Sequence, residues 1–157
     1  MKIVLLAIGK TNDAYLIEGI ADYHKRLTHY LPFEMKVITE PKNTKNLSFD
    51  QQKEKSSELM LTFVQDSDIV VLLDDKGKSF SSMDFALYMQ KKMATVNKRL
   101  VFIIGGPYGF SDKLYQRANE KLSLSKMTFS HQMVRLVFLE QLYRSMTILK
   151  GEPYHHE

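Results

Sequence analysis

The 157-residue sequence contains no cysteine. Disulfide staples, thiolate nucleophiles and cysteine metal sites are thereby excluded, and such a composition suits a reducing cytoplasm. No apolar run approaches the roughly 20 residues that span a bilayer, so a membrane role is not expected. The apolar opening Ile3–Ile8 is shorter than the core of a secretory signal and reads as a buried first strand. Charge of one sign is scarce as well. Twenty-two Lys and Arg stand against 18 Asp and Glu, a net charge of +4, and the excess is spread thinly along the chain. A mildly basic surface permits nucleic-acid contact, but there is no basic arm. Repeats, low-complexity stretches and linkers are also missing, which predicts one domain over residues 1–157.

What is present is a regular alternation of apolar runs and helix-like segments. Strands are predicted at Lys2–Ile8, Glu34–Thr39, Ile69–Leu73, Leu100–Ile104 and Leu122–Leu124. Helices are predicted at Asp13–His29, Ser48–Val64, Ser81–Thr95, Asp112–Lys121 and His131–Leu149. Continuous apolar strands between helices indicate an α/β fold with a mostly parallel sheet covered on both faces. The last helix is apolar on more than one face, so it is either sunk in the core or meets a second subunit. That breadth favours a homodimer. Arg135 is an odd cation in so apolar a helix.

In open α/β sheets, ligands bind beyond the carboxyl ends of the strands. Three such exits carry unusual residues: Leu73-Asp74-Asp75-Lys76-Gly77-Lys78, Gly105-Gly106-Pro107-Tyr108-Gly109, and Leu124 to Phe129. If they converge, they form a pocket of backbone groups and hydroxyls. The glycine loop has neither dinucleotide-fingerprint nor Walker spacing, and as a bare loop it reads equally well as a tight turn. Asp74 and Asp75 are adjacent on a strand end and point apart, so solvated turn acids are expected there rather than a shared carboxylate site. His131 reads as a structural residue at a helix start. His155-His156 lack a metal-ligand spacing, and no metal is expected.

Taken in order, these pieces resemble a known family. Leu73-Asp74 precedes Gly77-Lys78; Ile103-Ile104-Gly105-Gly106-Pro107 and Gly109 follow; then come Leu122-Ser123-Leu124-Ser125, Met127-Thr128-Phe129 and His131. Arg135, Glu140-Gln141-Leu142-Tyr143-Arg144 and the ending Gly151-Glu152-Pro153-Tyr154-His155 complete the set. The chain is similar, end to end, to the RlmH (YbeA-like) family of SPOUT-class RNA methyltransferases. That resemblance implies a C-terminal trefoil knot, a homodimer, and S-adenosylmethionine as methyl donor. It also implies methylation at N3 of a pseudouridine in 23S rRNA of the assembled 70S ribosome. Carried across by motif, the donor site is Leu73, Gly105, Leu124, Ser125, Lys126, Met127, Thr128 and Phe129. The catalytic residues are Arg144, Tyr154 and His155, with His131 a weaker candidate. A non-catalytic ribosome- or RNA-binding α/β module is the competing expectation. Two departures stand out: Ser130 replaces the family's usual proline before His131, implying a looser start to the last helix, and Asp75-Lys76 is more polar than usual.

Overall fold

The computed structural model describes residues 1–156. Its strands are β1 (Lys2–Ile8), β2 (Phe33–Ile38), β3 (Ile69–Ser79), β4 (Arg99–Ile104) and β5 (Glu120–Ser123), and its helices are α1 (Ala14–Leu27), α2 (Phe49–Phe63), α3 (Ser82–Thr95), α4 (Asp112–Arg117) and α5 (Met133–Leu149). The strands form one sheet in the order β2-β1-β4-β3-β5, and every pairing is parallel.

Successive strand side chains point to opposite faces, and β1 uses both. Ile3, Leu5 and Ala7 join Phe102, Phe85 and Phe138 in one core, on the side of α1, α3 and α5. Val4, Leu6 and Ile8 join Val101, Ile103 and Met60 in the other, on the side of α2 and α4. Burial on both faces is why these strands read as unbroken apolar runs. Helix starts follow local chemistry. Ser48 and Gln51 form a reciprocal capping box on α2, and the hydroxyls of Ser81 and Ser111 accept from the third helical amide of α3 and α4.

Two predicted boundaries shift by four residues or more. The polar run after Leu73 is extended strand, and β3 continues to Ser79. Leu73 and Lys78 both pair with Leu122, so residues 74–77 bulge between them. Gly77 makes this possible, because a Cβ there would lie 2.6 Å from the backbone nitrogen of Leu122. The fourth helix ends at Arg117 rather than Lys121. Asn119 exchanges hydrogen bonds with Val70, its amide donating to the Val70 carbonyl and its side-chain oxygen accepting from the Val70 amide. The chain is thus drawn out of the helix into β5.

The wide apolar surface of α5 is used within its own chain. The helix lies against both α1 and α3, and none of its residues is fully exposed. Among the described residues, no helix is long and apolar enough to cross a membrane.

Asp68, which precedes β3, accepts two hydrogen bonds from Arg99 at 2.6 and 2.8 Å and one from the Gln65 amide at 2.8 Å. Burial alone would raise this carboxyl, but the Arg99 and Gln65 hydrogen bonds outweigh it and hold it below the ordinary carboxylate range. A depressed carboxylate stabilises the fold above its unfolded pKa, and that contribution disappears as pH falls through the folded pKa. Asp68→Asn should therefore cost roughly 2 kcal/mol at pH 7. Its urea midpoint should converge on the wild-type value in acid, below about pH 4. A gap independent of pH would contradict this role.

Candidate functional site

The bulge of β3, the carboxyl end of β4 and the segment after β5 meet around a pocket of about 550 Å³. Leu73, just before the bulge, pairs with Ile104 at the end of β4, and both line it. The glycine loop supplies the second wall. Its turn is closed by a hydrogen bond from the Gly109 amide to the Gly106 carbonyl at 3.1 Å. Gly109 has φ +85°, a conformation open to glycine at little cost. The third wall is the Leu124–His131 segment, folded locally by its hydroxyls. Ser123 Oγ donates to the Ser125 carbonyl at 2.8 Å, and Ser125 Oγ accepts from the Met127 amide at 3.0 Å.

Of the residues expected to hold a donor, Leu73, Gly105, Leu124, Ser125, Met127, Thr128 and Phe129 line this pocket. Lys126 does not; it is exposed at the turn between its neighbours. Ser130 is held by its own chemistry where a proline would stiffen the chain. Its hydroxyl accepts from the Met133 amide at 3.0 Å, and its carbonyl accepts from the Val134 amide. The expected looseness at the start of α5 is offset by this cap.

Sequence reasoning missed one group here and ranked another low. Asp74 lines the pocket and is no solvated turn acid. It accepts 2.6 Å from the Tyr115 hydroxyl and 3.0 Å from the Lys76 amide. Burial pushes its pKa up, but those hydrogen bonds prevail and the carboxyl lies below its usual range, an anion at neutral pH. Only the pairing of β3 with β5 brings α4 and Tyr115 to it, so no local signal existed. His131 also lines the pocket. Burial, and then the Arg135 charge, lower its pKa, leaving the imidazole neutral at pH 7.

Arg135 proves to be the clasp of the site. It is fully buried, and its guanidinium donates to the carbonyls of Gly9 (2.8 Å), Ile8 (2.9 Å) and His131 (3.1 Å) and to Thr11 Oγ1 (3.1 Å). Gln132 repeats the connection, donating to the Lys10 carbonyl and accepting from the Asn12 amide. Together they tie the start of α5 to the end of β1.

Arg144, Tyr154 and His155 lie elsewhere. Arg144 donates to Glu140 at 2.5 and 2.9 Å, and its guanidinium sits 4.7 Å from the Tyr154 ring centroid. Arginine has only donors, so at the 3.0 Å contact between Arg144 and His155, Nδ1 of the imidazole accepts. The Tyr154 hydroxyl lies 3.0 Å from that of Tyr23, and its ring meets Tyr143 edge-on at 4.9 Å. The three residues are brought together with each other but not with the pocket. Val134 lines the pocket and Arg144 is ten residues further along α5, about 15 Å at the helical rise. Among the described residues no group of three or more His, Asp or Glu is placed to hold a metal ion.

Residues 1–155 match the family model described as "Predicted SPOUT methyltransferase". A protein of Parabacteroides distasonis named ribosomal RNA large subunit methyltransferase H is 64% identical over 157 residues, the full length of both chains. Its namesake in Cytophaga hutchinsonii is 63% identical over 156 residues, 99% of this chain and 100% of that one. The one in Bacteroides thetaiotaomicron is 61% identical over 157 residues, again all of both. With a five-stranded parallel sheet whose carboxyl ends frame a pocket, and with that kinship along its length, the chain belongs to the SPOUT methyltransferase family.

Proposed function

We propose that this protein transfers the methyl group of S-adenosylmethionine to N3 of a pseudouridine in 23S rRNA of the assembled ribosome, acting as a homodimer in the cytoplasm. The observation that carries this reading is the three-walled pocket, in a chain closely similar to proteins named for large-subunit rRNA methylation. The trefoil knot and the single domain over residues 1–157 belong to the same proposal.

The lining fits the donor. Its volume lies within the roughly 300–1,000 Å³ of small-molecule sites. Leu73, Ile104 and Leu124 offer apolar walls for an adenine, and Ser125 and Thr128 offer hydroxyls. The ionised Asp74 suits a donor that carries cationic ammonium and sulfonium groups, and a neutral His131 adds no opposing charge.

The sulfonium is already an activated leaving group, so positioning supplies most of the acceleration. The N3 proton passes to solvent water, the N3 electron pair attacks the methyl carbon, and the carbon–sulfur electrons return to sulfur as S-adenosylhomocysteine leaves. Negative charge that develops on the base is the natural target of a cation and a hydrogen-bond donor. Arg144 supplies the first. His155, whose Nδ1 accepts from Arg144, supplies the second. Because these groups stand about 15 Å along α5 from the pocket of their own chain, the homodimer reading places them over the partner's pocket.

Calorimetry with S-adenosylmethionine, followed by labelled-methyl transfer to ribosomes from a strain lacking this protein, tests the proposal. Expected are saturable donor binding and methyl incorporation that mass spectrometry maps to one pseudouridine. A non-catalytic RNA-binding module predicts no donor binding, and that result would sink the assignment.

A further inference from the structure

Beside the pocket stands an aromatic pair that none of these roles uses. Phe49 opens α2 and Tyr108 occupies the glycine loop; their rings are stacked, with centroids 4.4 Å apart and planes 17° from parallel. Phe49 is 67% exposed and Tyr108 39% exposed. Neither belongs to a core cluster, so burial on folding explains neither ring. Both are rigidly mounted. Phe49 is the first helical residue inside the Ser48–Gln51 capping box. Tyr108 follows Pro107 in the turn that the Gly109–Gly106 hydrogen bond closes, with proline at the second turn position, where its fixed φ belongs.

Tyr108 is flanked by Pro107 and Gly109, both of which line the donor pocket, so the pair is continuous with it. The lead-in and first turns of α2 are basic. Residues 41–55 carry Lys42, Lys45, Lys53 and Lys55 against Asp50 and Glu54. Lys53 pairs with Asp50 at 3.4 Å, while Lys42, Lys45 and Lys55 are exposed. A preformed aromatic stack bordered by exposed cations is the surface that unpaired nucleotides use, because every base has a π face and every phosphate a charge.

We propose that Phe49 and Tyr108 form a stacking platform for an unpaired base of the RNA substrate, adjacent to the nucleotide that is methylated. The outer face of Phe49 takes the base, and the lysines of residues 42–55 follow the backbone. This rests on the RNA-methylation reading above.

The chain has no tryptophan, so Phe49→Trp places a sole indole on the platform. Titrating that full-length variant with a short single-stranded oligouridylate should quench its emission saturably, and added salt should weaken the effect. In methyl transfer to ribosomes, Phe49→Ala combined with Tyr108→Ala should raise KM about tenfold or more. The donor Kd should hold, the effect should fall on KM rather than kcat, and Phe49→Trp should restore the wild-type KM. An unchanged KM in the double variant, or indole emission indifferent to RNA, overturns the platform. So does a sedimentation shift from dimer to monomer, which would make the pair a subunit contact. If wild-type protein fails to methylate ribosomes while the indole is still quenched by RNA, the methylation reading falls and the platform stands.

Discussion

A chain lacking residues 153–157 should bind S-adenosylmethionine with wild-type affinity and lose methyl transfer by a factor of roughly 10² or more, the scale of losing one donor to a developing anion. The pocket is built from residues 73–134, and none of the described residues 153–156 lines it. What the truncation removes is Tyr154 over Arg144 and the imidazole that accepts from Arg144. His155→Ala, a smaller change, should lower turnover in the same direction and leave donor affinity intact. The decisive form of the experiment mixes two inactive chains, one truncated and one with Gly105→Leu filling the donor pocket. If the tail works across a symmetric dimer, random mixing yields half heterodimers with one complete site each, about a quarter of wild-type activity. No recovery would return the tail to its own chain, and unimpaired turnover after truncation would end its catalytic role.

The second large effect concerns Arg135. Arg135→Met keeps the bulk of the side chain but leaves the carbonyls of Ile8 and Gly9 buried without their donors. A salt bridge replaced by apolar groups loses both charges together. Here the acceptors are backbone and remain, so the full desolvation penalty is felt. The expected loss is about 3–5 kcal/mol, or about 10 °C in Tm for a domain of this size, measured at fixed protein concentration so that any subunit association is held constant. Arg135→Lys should recover only part of it, since one ammonium cannot reach carbonyls on two segments in the geometry of a planar fork. Burial lowers the pKa of Arg135, yet a guanidinium stays charged and keeps every donor. Donor affinity should fall in both variants, because the clasp holds the Leu124–His131 wall. A Met variant as stable as wild type would refute this account.

How much of this was legible in the sequence depends on whether local pattern or distant pairing decides. β1 could be bounded to the residue because all of Ile3–Ile8 is buried on one face or the other. β3 could not, because Asp74-Asp75-Lys76-Gly77-Lys78 has the composition of a turn, and only β5 makes it a strand. Likewise the fourth helix has helical composition through Lys121, and Asn119 breaks it through a partner 49 residues away. The donor wall was legible because hydroxyls at the mouth of a helix are unusual locally. The role of Arg135 was not, since its acceptors are carbonyls of β1 and the loop after it, and backbone groups leave no trace in composition. The gap between pocket and tail needed the length and position of α5, which the ordered motifs alone could not convey.

The Arg135 clasp joins positions 126 and 127 residues apart, which constrains when the binding site can come into existence. During synthesis the first four strands can pair as they emerge, since domains fold as units from the N-terminal end. The third wall, and the arginine that fixes it to β1, arrive only in the last quarter of the chain. A nascent chain that has not reached Leu124 therefore carries most of the sheet and no complete pocket. Capture of the methyl donor reports that synthesis has passed Arg135.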